Sequence, residues 1–211
     1  MQESSTIKQE LLVATTNQYK LKEIRELLSA APVQLVELNQ FPNIKEPEET
    51  ENTFSANARL KASSYSKMTK MLTVAEDSGL VIDALNGDPG VYSARFVSSD
   101  ATYQERFVEI FRRLKSVPHL PRTARFICAL AVVDNEKVVF ETSSTIEGEI
   151  TKAVSGSAGF GYDPIFYYPP YNATLAEVSQ HDKLLVAHRG KAFRNLKRWL
   201  INTKNYQLEA Q

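Results

Sequence analysis

The chain contains one cysteine and no long apolar run, and each of these features excludes a class of protein. Cys128 has no second cysteine with which to form a disulfide within the 211 residues, which fits a reducing, cytoplasmic compartment. No apolar stretch approaches the roughly 20 residues that a membrane-spanning helix needs. The polar residues 1–6 do not resemble a secretory signal, and we expect residues 1–8 to form a flexible N-terminus.

The chain also has no excess of charge of either sign. Lys and Arg together number 25, as do Asp and Glu, so the formal net charge is zero. Without an overall basic field, nucleic acid is not an expected partner, and any anion site must be built from a few local residues. The hydrophobic content of 43% supports a sizeable core, and no repeat or linker divides residues 1–211, which we therefore expect to form one domain.

What the sequence does contain is a regular succession of apolar strands and amphipathic helices. In chain order the predicted elements are strand 11–14, helix 20–30, strand 34–38, an acidic loop 42–52, helix 53–70 with Asn52 as its N-cap, strand 71–75, an extended segment 79–85, helix 102–114, a hairpin of strands 125–133 and 137–147, a structured loop 151–172 and helix 191–201. This order predicts a mixed α/β sheet.

The run Glu76-Asp77-Ser78-Gly79 follows the predicted strand 71–75 and is the most informative polar segment. Strand ends are where α/β proteins place their chemistry. Two carboxylates could hold a metal ion and act as a base, but a solvated turn has the same composition, and the run alone favours neither. Because successive side chains of an extended segment point to opposite faces, only one of Glu76 and Asp77 is expected to face a given site.

The segment Thr15-Thr-Asn-Gln-Tyr-Lys20 lies between the first predicted strand and the first predicted helix. Such a junction offers unpaired backbone N–H groups and the positive end of a helix dipole, which together suit a phosphate. Thr15 and Asn17 can hydrogen-bond a phosphate, and Lys20 can neutralise it. The glycines of a P-loop are absent, and the segment by itself favours an ordinary helix cap with a surface lysine.

Asn57 and Lys61 lie four residues apart in the helix predicted over 53–70, so they share one face. Their spacing alone favours a solvated face over a cleft. An acidic cluster precedes this helix and consists of Glu46, Glu48, Glu49 and Glu51. One of these carboxylates could join Asp77 around a hard cation such as Mg²⁺, while most of the cluster is expected to be solvated.

The loop 156–166 reads GSAGFGYDPIF and is rich in glycine and aromatic residues. Its three glycines allow the backbone to approach a ligand closely. Phe160 and Tyr162 can stack on a flat base, and Asp163 can accept hydrogen bonds from ring N–H groups. The alternative, a structural loop whose aromatic rings fill the core, is about as well supported.

A basic cluster near the C-terminus contains Lys183, His188, Arg189 and Lys191. The planar donors of Arg189 and the ammonium of Lys183 suit a phosphate or a purine carbonyl group. His188 could be a general base, a ligand donor or a polar surface residue.

Five segments in this order resemble one family, the Ham1/RdgB-like inosine triphosphate pyrophosphatases. They are ATTNQYKLKEI (14–24), EETENTFSANARLKA (48–62), AEDSGLVIDALNGDPGVYSARF (75–96), GSAGFGYDPIF (156–166) and AEVSQHDKLLVAHRGKA (176–192). The resemblance implies an elongated mixed β-sheet flanked by helices, in two lobes around a nucleotide-binding cleft. It also implies a homodimer that uses Mg²⁺ to hydrolyse ITP, dITP and XTP to monophosphate and pyrophosphate, which removes them from the nucleotide pool.

The resemblance also implies roles for particular residues. Asp77 matches the catalytic proton acceptor and a metal ligand, Glu49 matches a second metal ligand with Glu48 as its rival, and Glu76 is a further candidate. The matching substrate-binding residues are Thr15, Thr16, Asn17, Gln18, Tyr19, Lys20, Lys61, Ser78, Phe160, Gly161, Tyr162, Asp163, Lys183, His188 and Arg189. Three residues depart from the family pattern, namely Thr16 for glycine, Glu76 for aspartate and Ala187 for serine.

Three other functions are compatible with parts of the sequence. A Maf-like pyrophosphatase would act on other nucleotides, although the Gly-Phe-Gly-Tyr-Asp loop and the His-Arg pair argue against it. A nucleotide sensor would bind ITP without releasing pyrophosphate. A nucleic-acid-binding protein is disfavoured by the zero net charge.

Overall fold

The computed structural model describes residues 8–209, and for residues 204–209 only their helical backbone. Residues 1–7, to which most of the predicted flexible N-terminus belongs, lie outside the described part. The sheet consists of β1 (Gln9–Val13), β2 (Val33–Glu37), β3 (Thr73–Ile82), β4 (Thr123–Asp134), β5 (Lys137–Ile150), β6 (Phe166–Tyr168) and β7 (Ala173–Thr174). The helices are α1 (Gln18–Leu28), α2 (Phe54–Thr69), α3 (Tyr103–Lys115), α4 (Gln180–Val186) and α5 (His188–Glu209).

The seven strands form one sheet in the order β2-β1-β3-β4-β5-β6-β7. β1 is parallel to both β2 and β3, whereas every pair from β3 to β7 is antiparallel. The predicted mixed α/β sheet is therefore confirmed, and so is the hairpin, which β4 and β5 form. Within residues 8–209, no helix is both long and apolar enough to cross a membrane.

Alternation along β3 divides the core between two faces of the sheet. Val74 packs with the apolar side chains of α1 and α5, whereas Ala75 packs with those of α2. The contact with α2 consists largely of small residues, Ala58 and Ala62 on the helix against Ala75, Ala129 and Ala131 on the sheet. Small side chains allow the helix axis to approach the sheet closely, which brings polar residues of α2 within reach of β3.

A second part of the core lies at the far end of β3 and β4. Leu80 and Ile82 pack there with Phe107 and Ile110 of α3 and with Phe166 of β6. A capping box starts α3, because the Thr102 hydroxyl accepts a hydrogen bond from the Glu105 N–H and the Glu105 carboxylate accepts one from the Thr102 N–H. This part of the core supports the loop 156–163, which forms one wall of the cleft described below.

Three predicted boundaries were wrong. β3 does not end before Glu76 but continues to Ile82, since its residues up to Ile82 remain paired with the apolar strand β4. Pairing with a neighbouring strand thus overrides the turn-like composition of Glu76-Asp77-Ser78-Gly79. The N-cap of α2 is Thr53, not Asn52, and α5 begins at His188 instead of Lys191.

Candidate active site

A cleft opens where β1 ends beside β3. β1 pairs with β3 only through Leu12 and Val13, and the Ala14 N–H donates the last hydrogen bond to the Val74 carbonyl at 2.8 Å. The chain then leaves the sheet and enters α1, while β3 runs on for eight residues. The edge of β3 beyond Val74 is therefore not covered by β1, and the polar residues of β3 border the space that this leaves.

Most of the residues predicted to form the site line this one cleft. They are Thr15, Thr16, Asn17, Lys20, Glu49, Lys61, Glu76, Ser78, Phe160, Gly161, Tyr162, Asp163, Lys183, His188 and Arg189. Gln18, Tyr19, Glu48 and Asp77 are not among the cleft-lining residues in the described part of the chain. Sequence reasoning missed Tyr103 and Phe126, whose positions in a helix and a strand indicated only a place in the core.

Asp77 faces α2, where it contacts Asn57 and Lys61. The spacing of these two residues alone favoured a solvated helix face, and that interpretation is wrong. Asn57 is fully buried and donates from Nδ2 to Asp77 Oδ2 at 3.2 Å, and Lys61 is only 7% exposed. Lys61 Nζ lies 3.5 Å from Asp77 Oδ1 and 2.5 Å from Glu49 Oε1. Lys61, which lines the cleft, thus links Asp77 to the cleft and to Glu49.

The surroundings of Asp77 raise the pKa of its carboxyl group. Burial raises the pKa of the Asp77 carboxyl above its usual value, and the nearby Lys61 ammonium opposes this shift only in part. For Glu49, burial acts the same way, but Lys61, Lys20 and Arg95 outweigh it and lower the pKa. The pKa of Asp77 is thus shifted upwards and that of Glu49 downwards, and an upward shift makes Asp77 a better proton acceptor than an exposed aspartate.

Glu76 points to the opposite face of the sheet and is held by buried cations. Its Oε1 accepts from Arg189 Nε at 2.7 Å, its Oε2 accepts from Arg189 Nη2 at 3.3 Å, and Lys20 Nζ lies 3.6 Å from Oε1. Cys128 is fully buried, as predicted, and its thiol donates to Oε2 at 3.0 Å. Burial by itself would raise the pKa of Glu76, but Arg189 and Lys20 hold it well below its usual value.

Glu23 is a buried residue of this network that sequence reasoning missed. Its carboxylate accepts from Arg189 Nη1 at 2.8 Å and lies 2.9 Å from Lys183 Nζ. Together with Lys20, these cations balance the three carboxylates of Glu23, Glu76 and Asp163. One signal was present in the sequence, because a glutamate three residues after Lys20 shares a helix face with it and adjoins the apolar Leu21 and Ile24.

The two buried cations have few donors left for a ligand. Arg189 has five N–H groups, and its bonds to Glu76, Glu23 and Ser78 use four of them, counting described partners only. Lys183 has three, of which Glu23 and Asp163 take two. Each cation therefore keeps one N–H group without a partner among the described residues, and both residues line the cleft, where buried carboxylates hold them.

The segment 15–20 forms the N-terminal cap of α1 and also part of the cleft wall. Asn17 Oδ1 accepts hydrogen bonds from the N–H groups of Tyr19 at 3.0 Å and Lys20 at 3.1 Å, which makes it the N-cap of α1. The Thr15 hydroxyl in turn accepts from the Asn17 N–H. This geometry holds the positive end of α1 at the cleft, with Lys20 beside it.

The glycine-rich loop 156–166 has both of the predicted roles, because it lines the cleft and also contributes aromatic side chains to the core. Tyr162 is buried, and its hydroxyl donates to the Ser93 carbonyl at 2.8 Å, so this aromatic ring belongs to the core. Tyr162 also borders the cleft, as does Phe160, whose N–H donates to Asp163 Oδ2 at 2.8 Å. Gly159 has φ of +71°, and a side chain there would collide with Asp163 Oδ2, which makes glycine necessary for this turn.

His188 is a buried cleft residue with an unusual hydrogen-bonding state. Its ring stacks on Phe126 with centroids 4.8 Å apart, and its Nδ1 has no hydrogen-bond partner among the described residues. Burial, with Arg189 nearby, lowers the pKa of the imidazole well below its usual value. His188 is therefore neutral at pH 7 and offers one donor and one acceptor instead of a positive charge.

The donor set around Asp77 suits a divalent cation that is shared with a substrate. Asp77 and Glu49 converge on one cation, the Lys61 ammonium, with oxygen ligands of the kind that Mg²⁺ prefers. Mg²⁺ commonly takes only one or two carboxylates and completes its shell with phosphate oxygens and water. No three His, Cys, Asp or Glu side chains of residues 8–203 are grouped to hold an ion by themselves.

Comparison with known proteins identifies the family. The model of the Ham1 family matches residues 11–199, which is most of the chain. The chain belongs to the Ham1 family. The family resemblance drawn from the five sequence segments is therefore confirmed.

Relatives and solved structures within this family agree with the fold. The dITP/XTP pyrophosphatase of Bacillus cereus is 43% identical over 189 residues, covering 89% of this chain and 92% of the relative. That of Halalkalibacterium halodurans is 40% identical over 193 residues, covering 90% and 98%. The HAM1 protein of Coxiella burnetii superposes with a TM-score of 0.86 at 36% identity, covering 92% of this chain and 99% of that one. The Ham1 protein of Staphylococcus aureus gives 0.83 at 31% identity, covering 92% and 100%.

Proposed function

We propose that this protein hydrolyses non-standard purine nucleoside triphosphates, namely ITP, dITP and XTP, to the monophosphate and pyrophosphate. It thereby removes these nucleotides from the pool. The observation that carries the proposal is that one cleft is lined by three sets of residues: a helix N-terminus with Lys20, Lys61 and Glu49 with Asp77 behind them in contact with Lys61, and an aromatic loop with Lys183 and Arg189. The names of the Bacillus cereus and Halalkalibacterium halodurans relatives support the same activity.

The triphosphate is assigned to the end of the cleft formed by α1 and α2. Lys20 is 19% exposed at its side chain and Lys61 is 9% exposed, so both are screened less from a bound phosphate than surface lysines are. The positive end of α1 adds a favourable partial charge. These groups stabilise the charge that develops on the pyrophosphate leaving group, which is the main requirement of phosphoryl transfer.

Asp77 is assigned as the proton acceptor for the attacking water. Its raised pKa makes it a stronger base than an exposed aspartate, and Asn57 and Lys61 fix the direction of its carboxylate. Mg²⁺, when bound by Asp77 and Glu49, supplies charge neutralisation at the phosphate oxygens. Glu76 is left out of this metal set because it faces Arg189 on the other side of the sheet, and Glu48 because it is exposed and does not line the cleft.

The purine is assigned to the end formed by Phe160, Lys183 and Arg189. Phe160 offers an aromatic face, and each cation offers a remaining N–H group. Hypoxanthine and xanthine carry a 6-oxo group that accepts these hydrogen bonds. An adenine amine at the same place would leave the donors unpaired, which disfavours ATP.

The proposal also includes an oligomeric state, which comes from the family resemblance, and a cellular location, which comes from the composition. The protein is assigned as a homodimer, which size-exclusion chromatography with light scattering would test directly. A cytoplasmic location agrees with one buried, unpaired cysteine.

The decisive experiment measures pyrophosphate release from ITP, dITP, XTP, GTP, ATP and dTTP in the presence of Mg²⁺. We expect the three non-standard purine nucleotides to be preferred over ATP and dTTP. A preference for dTTP or UTP would indicate a pyrophosphatase of another specificity. Binding of ITP without pyrophosphate release would indicate a sensor and would contradict the proposed reaction.

A further inference from the structure

Tyr19 is an exposed aromatic residue whose contacts differ from those of the segment 15–20 around it. It is the second residue of α1, and 62% of its surface is exposed. Its ring stacks on that of Phe160, with centroids 5.3 Å apart and an angle of 14° between the planes. The stack therefore joins the helix that borders the triphosphate end of the cleft to the loop that borders the purine end.

The ring of Phe160 contacts two cationic side chains and one aromatic side chain. It lines the cleft together with Lys183 and Arg189, whose Nζ and Cζ atoms lie 4.6 Å and 5.5 Å from the centre of its ring. Tyr19 is not among the described residues that line the cleft. Tyr19 thus contacts Phe160 without being one of the described residues that line the cleft.

The backbone around Phe160 provides little rigidity of its own. Gly159 and Gly161 flank it, and both have positive φ, +71° and +68°. Glycine restricts the neighbouring peptide units less than any other residue, so side-chain contacts must fix the direction of the Phe160 ring. Asp163 accepts a hydrogen bond from the Phe160 N–H, and the aromatic contact that restrains the ring is the stack with Tyr19.

We propose that Tyr19 is a positioning residue for the purine: by stacking on Phe160, it holds the ring of Phe160 at the place in the cleft where a purine would bind. This inference rests on the proposed function, because it assumes that Phe160 stacks on a purine. It changes the expectation for Tyr19, which the sequence placed among the phosphate contacts.

The inference predicts a change confined to the binding of the base. An aromatic pair contributes about 0.5–1.5 kcal/mol beyond its buried area, so Tyr19→Ala is expected to raise KM for ITP about threefold to tenfold. The kcat is expected to change less than about twofold, because Asp77 and Lys61 are not touched. Hydrolysis of ribose 5′-triphosphate, which has no base, is expected to be unaffected.

Tyr19→Phe is the matched control because it keeps the ring and removes the hydroxyl, and we expect it to behave as the wild type. The double variant with Phe160→Ala is the stricter test, since Tyr19→Ala should have no further effect once Phe160 is absent. Thermal melting of each variant checks that the fold is retained, and Tyr19→Leu, which keeps bulk without a ring, should match Tyr19→Ala in KM.

Three results would overturn the inference. They are an unchanged KM in Tyr19→Ala, an equal defect in Tyr19→Phe, which would assign the role to the hydroxyl, and additive effects of Tyr19→Ala and Phe160→Ala. A wild-type protein that releases no pyrophosphate from ITP would instead refute the proposed function itself. The two failures are therefore distinguishable in the same set of assays.

Discussion

Glu76 and Asp77 are adjacent in β3, yet the two carboxylates lie in opposite surroundings. Glu76 is fixed by Arg189, Lys20 and the Cys128 thiol, and its pKa lies well below the usual value. Asp77 has longer contacts, 3.2 Å to Asn57 and 3.5 Å to Lys61, and burial raises its pKa. The comparison leads us to expect that Glu76, with full ion pairing, holds other groups in place and that Asp77, with incomplete pairing, takes part in chemistry.

The largest effect on activity is expected from Asp77→Asn. The change removes the proposed base while keeping its shape, and loss of a general base typically reduces the rate by about 10²–10⁴-fold. Stability should be retained, because burial already disfavours the charged form of Asp77. Pyrophosphate release from ITP with Mg²⁺ measures the rate, and activity within tenfold of wild type would show that Asp77 is not the essential base.

Glu76→Gln should mainly lower the free energy of unfolding, whereas Asp77→Asn should mainly lower the rate. Glu76→Gln leaves Arg189 buried with Glu23 as its remaining carboxylate partner, and breaking a buried ion pair costs about 3–5 kcal/mol. Since Glu23 is retained, we expect a value near the lower limit. Urea unfolding of both variants provides the measurement, and a larger loss of stability in Asp77→Asn than in Glu76→Gln would reverse the comparison.

A smaller and more specific effect is expected from Glu49→Gln, with Glu48→Gln as its matched control. Glu49 lies 2.5 Å from Lys61 in the cleft, whereas Glu48 is exposed and lines no part of it. The Mg²⁺ concentration for half-maximal activity should rise about tenfold or more in the first variant and stay within about twofold in the second. Equal responses of the two variants would remove Glu49 from the metal set.

The smallest effect concerns pH and requires no mutation. Because the pKa of Asp77 is raised above 3.8, activity should be lost at a higher pH than an exposed aspartate would give. The pKa values of Glu76 and Glu23 are lowered from 4.5, so their contribution to stability is fully present above that pH and is lost only as pH falls through the lower, folded-state values. On acidification the protein should therefore become inactive before it unfolds. Parallel rate and near-ultraviolet circular dichroism measurements would show this order, and simultaneous loss would contradict it.

Much of the fold could be predicted because its elements carry local signals. Helix α1 shows apolar residues at helical spacing, and the hairpin β4–β5 shows two apolar runs around Asp134-Asn135-Glu136. The end of β3 could not be predicted, because Glu76-Asp77-Ser78-Gly79 has turn composition and is held in a strand only by β4. The short helix α4 was also missed, since its seven residues are too few for a clear period.

Some residues of the candidate site could be predicted from the sequence, and others could not. Phe160 and Lys20 were assigned to the site because their segments, which alone were equally or better explained by a structural role, match the motifs of the family that the chain resembles. Asn57 and Lys61 were interpreted as a solvated face, because spacing shows that two residues share a face but not what that face meets. Glu23 was passed over because a charged residue on an amphipathic helix usually lies in solvent.

The sequence by itself determined that Glu76 and Asp77 would face opposite ways if their segment were extended, since side chains alternate along an extended backbone. It also determined which residue types were available for a phosphate, a cation and a base. Only the tertiary structure decided which carboxylate received which partners, because Arg189 is 113 residues from Glu76 and Lys61 is 16 from Asp77 in the chain. Burial and charge pairing depend on such contacts between distant segments, and they set the opposite pKa shifts that distinguish the two carboxylates.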